Sequence, residues 1–128
     1  MKIADVSTIL LSHPKTHPPM QRTYAVVRIE TDTGLVGYGE ASSNYGHSYP
    51  TVIRAIVEDV LARNLRGRDP RDIRARVQDM HVLLDGYLGW DGVSAQAIGA
   101  IEIALWDILG KATGQPTRPA SSKSPPPL

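Results

Sequence analysis

The sequence predicts an α+β fold, a three-stranded antiparallel meander followed by a three-helix bundle, on two observations. Between Lys2 and Glu40 apolar residues recur with the two-residue period of half-buried strands, and from Pro50 onward they recur with a helical period. The chain has 128 residues, 41% of them hydrophobic, which suits one ordinary core. A catalytic (β/α) barrel takes about 250 residues, so none can be encoded beside that core.

The first strand is expected over Lys2–Leu11, where Ile3, Val6, Thr8 and Ile9 are β-branched and neither Gly nor Pro occurs, although the alternation is imperfect. Three prolines between Ser12 and Arg22 then make a loop. From Thr23, Ala25, Val27 and Ile29 share one strand face while Tyr24, Arg28 and Glu30 point to the other. Thr31-Asp32-Thr33-Gly34 closes a tight hairpin, because Gly34 tolerates the positive φ such a turn needs. The third strand is expected over Leu35–Glu40. Gly37 and Gly39 leave one of its faces bare, which suits the close approach of another backbone.

Ala41–Tyr49 is a second irregular segment. A first helix, from about Pro50 to Ala62, carries Val52, Ile53, Ile56, Val57, Val60 and Leu61 on one stripe. Asp69-Pro70 supplies an N-cap and a first-position proline for a second helix, with Asp72 in its first turn and Ile73, Val77, Met80 and Leu84 inward. The loop Asp85–Gly92 holds Tyr87, Leu88 and Trp90, apolar content that is expected to pack against something. Ser94 is the expected cap of a third helix, whose apolar residues from Ala97 to Leu109 run most of the way round and so predict a central position. Gly110 and Gly114 offer stops, and Pro116 prevents continuation.

Two domains of composition result: an ordered unit over residues 1–116, and a Pro/Ser-rich tail over 117–128 expected to be disordered. The absence of cysteine excludes a disulfide framework, a zinc-thiolate site and a thiol nucleophile. A net charge of +1, with Lys and Arg interleaved among Asp and Glu, gives no electrostatic case for nucleic acid or an anionic membrane. The N-terminus lacks a leader-like apolar region, and no run of roughly 18 purely apolar residues is seen. A cytoplasmic protein is the expectation.

Motifs narrow the fold to a family. Thr31-Asp32-Thr33-Gly34-Leu35-Val36-Gly37-Tyr38-Gly39-Glu40-Ala41 is similar to the second hairpin of the N-terminal domain of the mandelate racemase and muconate lactonizing family, within the enolase superfamily. The segment Ala97–Pro116, containing Ala104-Leu105-Trp106-Asp107-Ile108-Leu109-Gly110-Lys111, resembles that family's signature helix along its whole length. The resemblance spans Met1–Pro116 and stops at Thr117-Arg118-Pro119, where the family would continue into its first barrel strand. This break reads as a truncation of the parent enzyme.

What the resemblance implies is a capping domain. The family's chemistry uses a divalent metal, usually Mg²⁺, held by barrel carboxylates, and a Lys or His base that removes the proton α to a substrate carboxylate. Those residues belong to the barrel, so no catalytic or metal-ligating position is carried over here, and no cofactor is expected in this chain. The two irregular loops are those the family closes over its substrate. Within them His17, Arg22, Asn44, Tyr45 and His47 are the side chains best suited to a hydroxy acid or sugar acid; the plain alternative is that they are solvated loop residues. The implied partners are a small carboxylate substrate and a barrel domain. The surface that would meet that barrel predicts an exposed apolar patch and self-association. The rival reading is a non-catalytic assembly module that pairs with a barrel from another chain.

Other motifs are weaker. Gly37-Tyr38-Gly39 lacks the third Gly of a dinucleotide fingerprint, since Ser42 stands there. His13, His17, His47 and His81 have no metal-ligand spacing. Asp107 is read as pairing locally and Trp106 as packing, rather than as an acid catalyst. The run from Arg63 to Arg76 alternates with aspartates and reads as a solvated, ion-paired surface.

Overall fold

The computed structural model describes residues 1–13, 22–41 and 49–116. Strands β1 (Ile3–His13), β2 (Arg22–Thr31) and β3 (Val36–Ala41) form one antiparallel sheet in that order. The register runs from Ile3 opposite Thr31 to His13 opposite Arg22, and from Glu30 opposite Val36 to Ala25 opposite Ala41. Ala25, Val27 and Ile29 are fully buried, as the two-residue period requires. Ile3 and Val6 are both buried despite odd spacing, because the register shifts between Ile3 and Asp5 and turns the chain over. That shift is the source of the imperfect alternation in β1. The hairpin closes as expected: Gly34 sits at φ 85°, its N–H donates to the Thr31 carbonyl, and Thr31 N–H donates to Leu35 O.

The first helical rod has three pieces in sequence: α1 (Pro50–Arg54), a π-helical stretch (Ala55–Leu61) and α2 (Ala62–Leu65). At about 100° per residue, a regular helix would set Ala62 roughly 180° from Ile53 and Val60 only about 20° away. The reverse is seen, since Ala62 is fully buried and Val60 is 37% exposed. The wider turn of the π-helical stretch absorbs one extra residue, which keeps Ile53, Ile56, Val57, Leu61, Ala62 and Leu65 on the core side. Val60, expected inside, therefore faces out, while Val52, also expected inside, precedes the π-helical stretch and is half exposed because it lies about 100° round the helix from Ile53. Deleting Val60 should convert the rod to an uninterrupted α-helix with the same core face, changing stability by no more than about 1 kcal/mol in urea denaturation.

Helix α3 (Ile73–Asp85) buries Ile73, Met80 and Leu84 as its stripe predicts. Its cap is Asp72, whose carboxylate accepts from Ala75 N–H at 3.3 Å, and not Asp69. Asp69 is taken by Arg71, whose guanidinium reaches it at 2.7 Å and whose N–H donates to it at 2.9 Å, closing a turn before the helix starts. Those contacts, side chain first, hold the Asp69 carboxyl far below its ordinary range. The Arg-rich run is ion-paired as expected, with Arg66–Asp5, Arg71–Asp69 and Arg76–Asp79 bridges.

Helix α4 (Val93–Thr113) is the centre of the packing. It buries Ala97, Ile98, Ala100, Ile101, Ala104, Leu105 and Ile108 against the sheet and the other helices. Its preceding residue is Gly92 at φ 65°; Ser94, expected as the cap, lies inside the helix and donates to Leu88 O at 3.3 Å. The helix passes through Gly110 and ends at Gly114, left-handed at φ 67°. By length and composition α4 does meet the requirement for a membrane span, contrary to the sequence expectation. Its buried positions identify it as the core helix of this domain.

β3 crosses α4 at its two glycines. A methyl group added at Gly39 would overlap the Ala100 carbonyl, and one at Gly37 the Ala104 carbonyl and Ile108. The bare strand face anticipated from the sequence is thus where helix backbone meets sheet backbone. The loop after α3 departs from expectation: Tyr87 is 86% exposed and Leu88 and Trp90 are about half exposed, with Trp90 stacked on His81 at 4.8 Å.

Candidate functional site

Residues 14–21 and 42–48 adjoin strand ends that lie at one end of the sheet. Residues 14–21 leave β1 at His13 and rejoin β2 at Arg22, which face each other in the register. Residues 42–48 leave β3 after Ala41, which pairs with Ala25, three residues along β2 from Arg22. At about 3.4 Å per strand residue, that offset is on the order of 10 Å. The meander itself causes this: two antiparallel crossings, down β2 and back up β3, return the end of β3 to the side where β1 ended. Arg22 lies at that rim, in the first position of β2. His17, Asn44, Tyr45 and His47 lie outside the described residues. The tail over 117–128 does also.

The opposite half of α4 carries a charge pair that links the helix to the β3 edge of the sheet. Asp107 accepts from Tyr38 N–H at 3.0 Å and from Lys111 Nζ at 2.8 Å, while Lys111 Nζ also donates to Val36 O at 2.7 Å. The ammonium sits 5.5 Å from the centroid of the Tyr38 ring. Partial burial pushes the Asp107 carboxyl up, but the Lys111 hydrogen bond and then the Tyr38 N–H outweigh it and hold it below its ordinary value. Asp107 therefore pairs locally, as the sequence implied. Both groups line an open concavity of about 440 Å³ with Gly110, Gly114, Gln115 and Pro116, but Asp107 Oδ2 and the Lys111 ammonium are held by β3.

A depressed carboxyl stabilises the fold at pH above its unfolded value, near 3.9, and that contribution is lost as pH falls through the lower folded value. Asp107→Asn is expected to cost about 1 kcal/mol at pH 7, the side chain being 30% exposed, and to cost progressively less as pH falls below the unfolded value. Urea midpoints measured from pH 7 to pH 2 check this. A constant difference across that range would contradict it.

Among the described residues, the outward face of α4 exposes apolar side chains. Ile103 is 53% and Trp106 45% exposed, and helical geometry sets Gly99 and Gly110 on the same stripe. Trp106 does not pack into the core as the sequence reading had it; its ring N–H reaches back to Glu102 at 3.4 Å. Spacing alone could have shown this, since Ile103 and Trp106 lie opposite the Ala97–Ala104 face that the sheet occupies. Among the described residues no three His, Asp or Glu side chains converge as metal ligands, so they do not fit the Mg²⁺ that the family resemblance implies.

Comparison with known proteins gives a consistent result. Residues 7–118 match the family described as mandelate racemase / muconate lactonizing enzyme, N-terminal domain. A D-galactonate dehydratase family member from Streptomyces sp. (strain SPB074) is 37% identical over 119 residues, covering 91% of this chain and 24% of its own length. The cis-3-hydroxy-L-proline dehydratase of Roseibium aggregatum is 43% identical over 94 residues, 71% of this chain and 23% of that enzyme. The crystal structure of a member of the enolase superfamily from Polaromonas sp. JS666 superposes with a TM-score of 0.76 at 31% identity, covering 88% of this chain and 31% of that one. The chain thus spans about a quarter of the length of the curated relatives it matches.

Proposed function

Since the chain belongs to the mandelate racemase / muconate lactonizing enzyme family through its N-terminal domain, we propose that it is a substrate-capping domain for metal-dependent α-proton chemistry on a carboxylate substrate. The observation that carries this reading is that the strand ends adjoined by residues 14–21 and 42–48 lie at one end of the sheet, which lets both segments serve one site. Its relatives include D-galactonate dehydratase family members, a D-mannonate dehydratase and a cis-3-hydroxy-L-proline dehydratase, so a hydroxy acid or sugar acid is the proposed substrate class and racemisation or dehydration the proposed chemistry. Arg22, with His17, Asn44, Tyr45 and His47, is proposed to supply donors to the substrate's carboxylate and hydroxyl groups. The cytoplasm is its proposed location.

Mg²⁺ and the base would come from a barrel. The described residues lack a ligand set, so this chain's own proposed work is to orient the substrate and to exclude water, and the 128-residue chain alone should show no turnover. The uncovered stripe of Ile103 and Trp106 supports a large apolar partner such as that barrel. The test is α-proton exchange into deuterated solvent, with Mg²⁺ and a panel of sugar acids and hydroxy acids. Exchange by the purified chain alone would overturn the proposal, and exchange that appears only when a relative's barrel is added would support it.

Self-association through the same stripe is the expected default when no barrel is present. The chain should enhance the fluorescence of a hydrophobic dye and sediment with a concentration-dependent mass. A monodisperse monomer that leaves the dye dark would contradict this.

A further inference from the structure

The sheet has two edges, and they are closed by different means. On β1 the closure is partly backbone: Ile3 N–H donates to Arg68 O and Gly67 N–H to Ile3 O, while Glu58 accepts from Thr8 N–H at 2.9 Å and from its hydroxyl at 2.8 Å. On β3 the outward N–H of Tyr38 and the outward carbonyl of Val36 are taken by two side chains of α4, Asp107 and Lys111. Both are surface groups, 30% and 43% exposed. An edge strand with a free donor and acceptor is a template for another strand, and the strand of matching length and alternation that is always at hand is β3 of a second copy.

We propose that Asp107 and Lys111 act as a gate on β3: by occupying the Tyr38 amide and the Val36 carbonyl they prevent two copies of the chain from pairing edge to edge into a six-stranded sheet. Strand alternation fixes which groups the gate must cover. Val36, Tyr38 and Glu40 direct their peptide groups away from β2, because Gly37, Gly39 and Ala41 between them alternate toward it. Antiparallel pairing centred on Tyr38 would place Val36 of one copy opposite Glu40 of the other, with Tyr38 beside its own counterpart. Tyr38, 46% exposed on the sheet face away from the helices, would then meet its counterpart across the joint and add aromatic contact to the new hydrogen bonds. The gate needs both members. Asp107 supplies the acceptor, Lys111 the donor, and their 2.8 Å bridge, one helical turn apart, holds each over its own peptide group.

This inference does not depend on the proposed capping role. It is tested with the double variant Asp107→Ala/Lys111→Ala, compared with the parent chain by sedimentation and by amide hydrogen exchange. The expected result is a native circular dichroism spectrum, a dimer at concentrations where the parent shows less, and a Tyr38 amide that exchanges about tenfold faster in dilute solution and regains protection on dimerisation. A mass indistinguishable from the parent's overturns the gate. So does a dimer whose Tyr38 and Glu40 amides stay unprotected, which would be pairing through another surface, and so does a parent chain already protected at Glu40 by dimerisation. If the double variant does not fold, Lys111→Met carries the test: it frees the Val36 carbonyl, leaves Asp107 on the amide, and is expected to raise the β3-paired fraction severalfold. No rise for that variant overturns the gate equally.

Discussion

Gly39→Ala is expected to cost about 3 kcal/mol or more, enough to leave much of the chain unfolded at room temperature, whereas Gly99→Ala should raise stability by about 0.5–1 kcal/mol. The two substitutions add the same methyl group on either side of one helix. At Gly39 the new Cβ meets the carbonyl carbon and oxygen of Ala100 and the amide nitrogen of Ala104, all backbone atoms of α4. Backbone cannot rotate away as a side chain can, so the helix and strand must separate. That movement opens the core around Val27, Ile101 and Leu105, each fully buried. At Gly99 nothing lies within 4 Å, and the residue is in mid-helix, where alanine loses less entropy on folding. Urea denaturation of both variants decides the matter. Equal midpoints, or a tolerated Gly39→Ala, would show that α4 does not approach β3 as closely as described here.

That contact also shows what the sequence makes legible. Two glycines alternating on one strand face are visible without a structure, because the lack of a side chain is itself the signal, and the apolar, nearly all-round helix that fills the space is equally plain. The hairpin at Gly34 belongs to the same class, a backbone requirement met by one residue type. What escaped the reading shares another trait. Asp69 and Asp72 are both fit to cap α3, and the choice between them is made by Arg71, whose bidentate hold on Asp69 is a matter of rotamers rather than of spacing. The inward placement of Val60 assumes a constant helical period, which the π-helical stretch breaks; no residue type announces it. The proposed contact residues were chosen by resemblance, and of the five only Arg22 lies within the described residues. Its place beside the root of the second loop follows from strand register, which the sequence implies only once the meander is drawn.

Ile103→Asp and Trp106→Asp should abolish docking to a barrel while leaving the domain folded, the largest functional effect expected from any surface change. The argument begins with the two faces of α4. Ile101 and Leu105 are fully buried, while Ile103 and Trp106, two residues or fewer away in sequence, are about half exposed. An apolar stripe that includes a Trp, flanked by the small residues Gly99 and Gly110, is the form taken by the centre of an interface, where a large ring fills a hole and glycines let a neighbour approach. A central Trp contributes about 2–4 kcal/mol to association, so its loss should weaken binding on the order of 30- to 1000-fold. Folding should change by less than about 1 kcal/mol, since neither side chain lies in the core. Mixing each variant with the separately produced barrel of a D-galactonate dehydratase family member, and following complex formation by calorimetry beside urea melts, separates the two effects. Docking that survives both charges would move the barrel-facing surface elsewhere, to apolar ground such as the exposed Tyr87, Leu88 and Trp90 loop or the sheet face of Ile9, Leu11 and Tyr38. Lost docking with unchanged melts would place α4 at the joint: the same helix that carries the core on one side would carry the rest of the enzyme on the other.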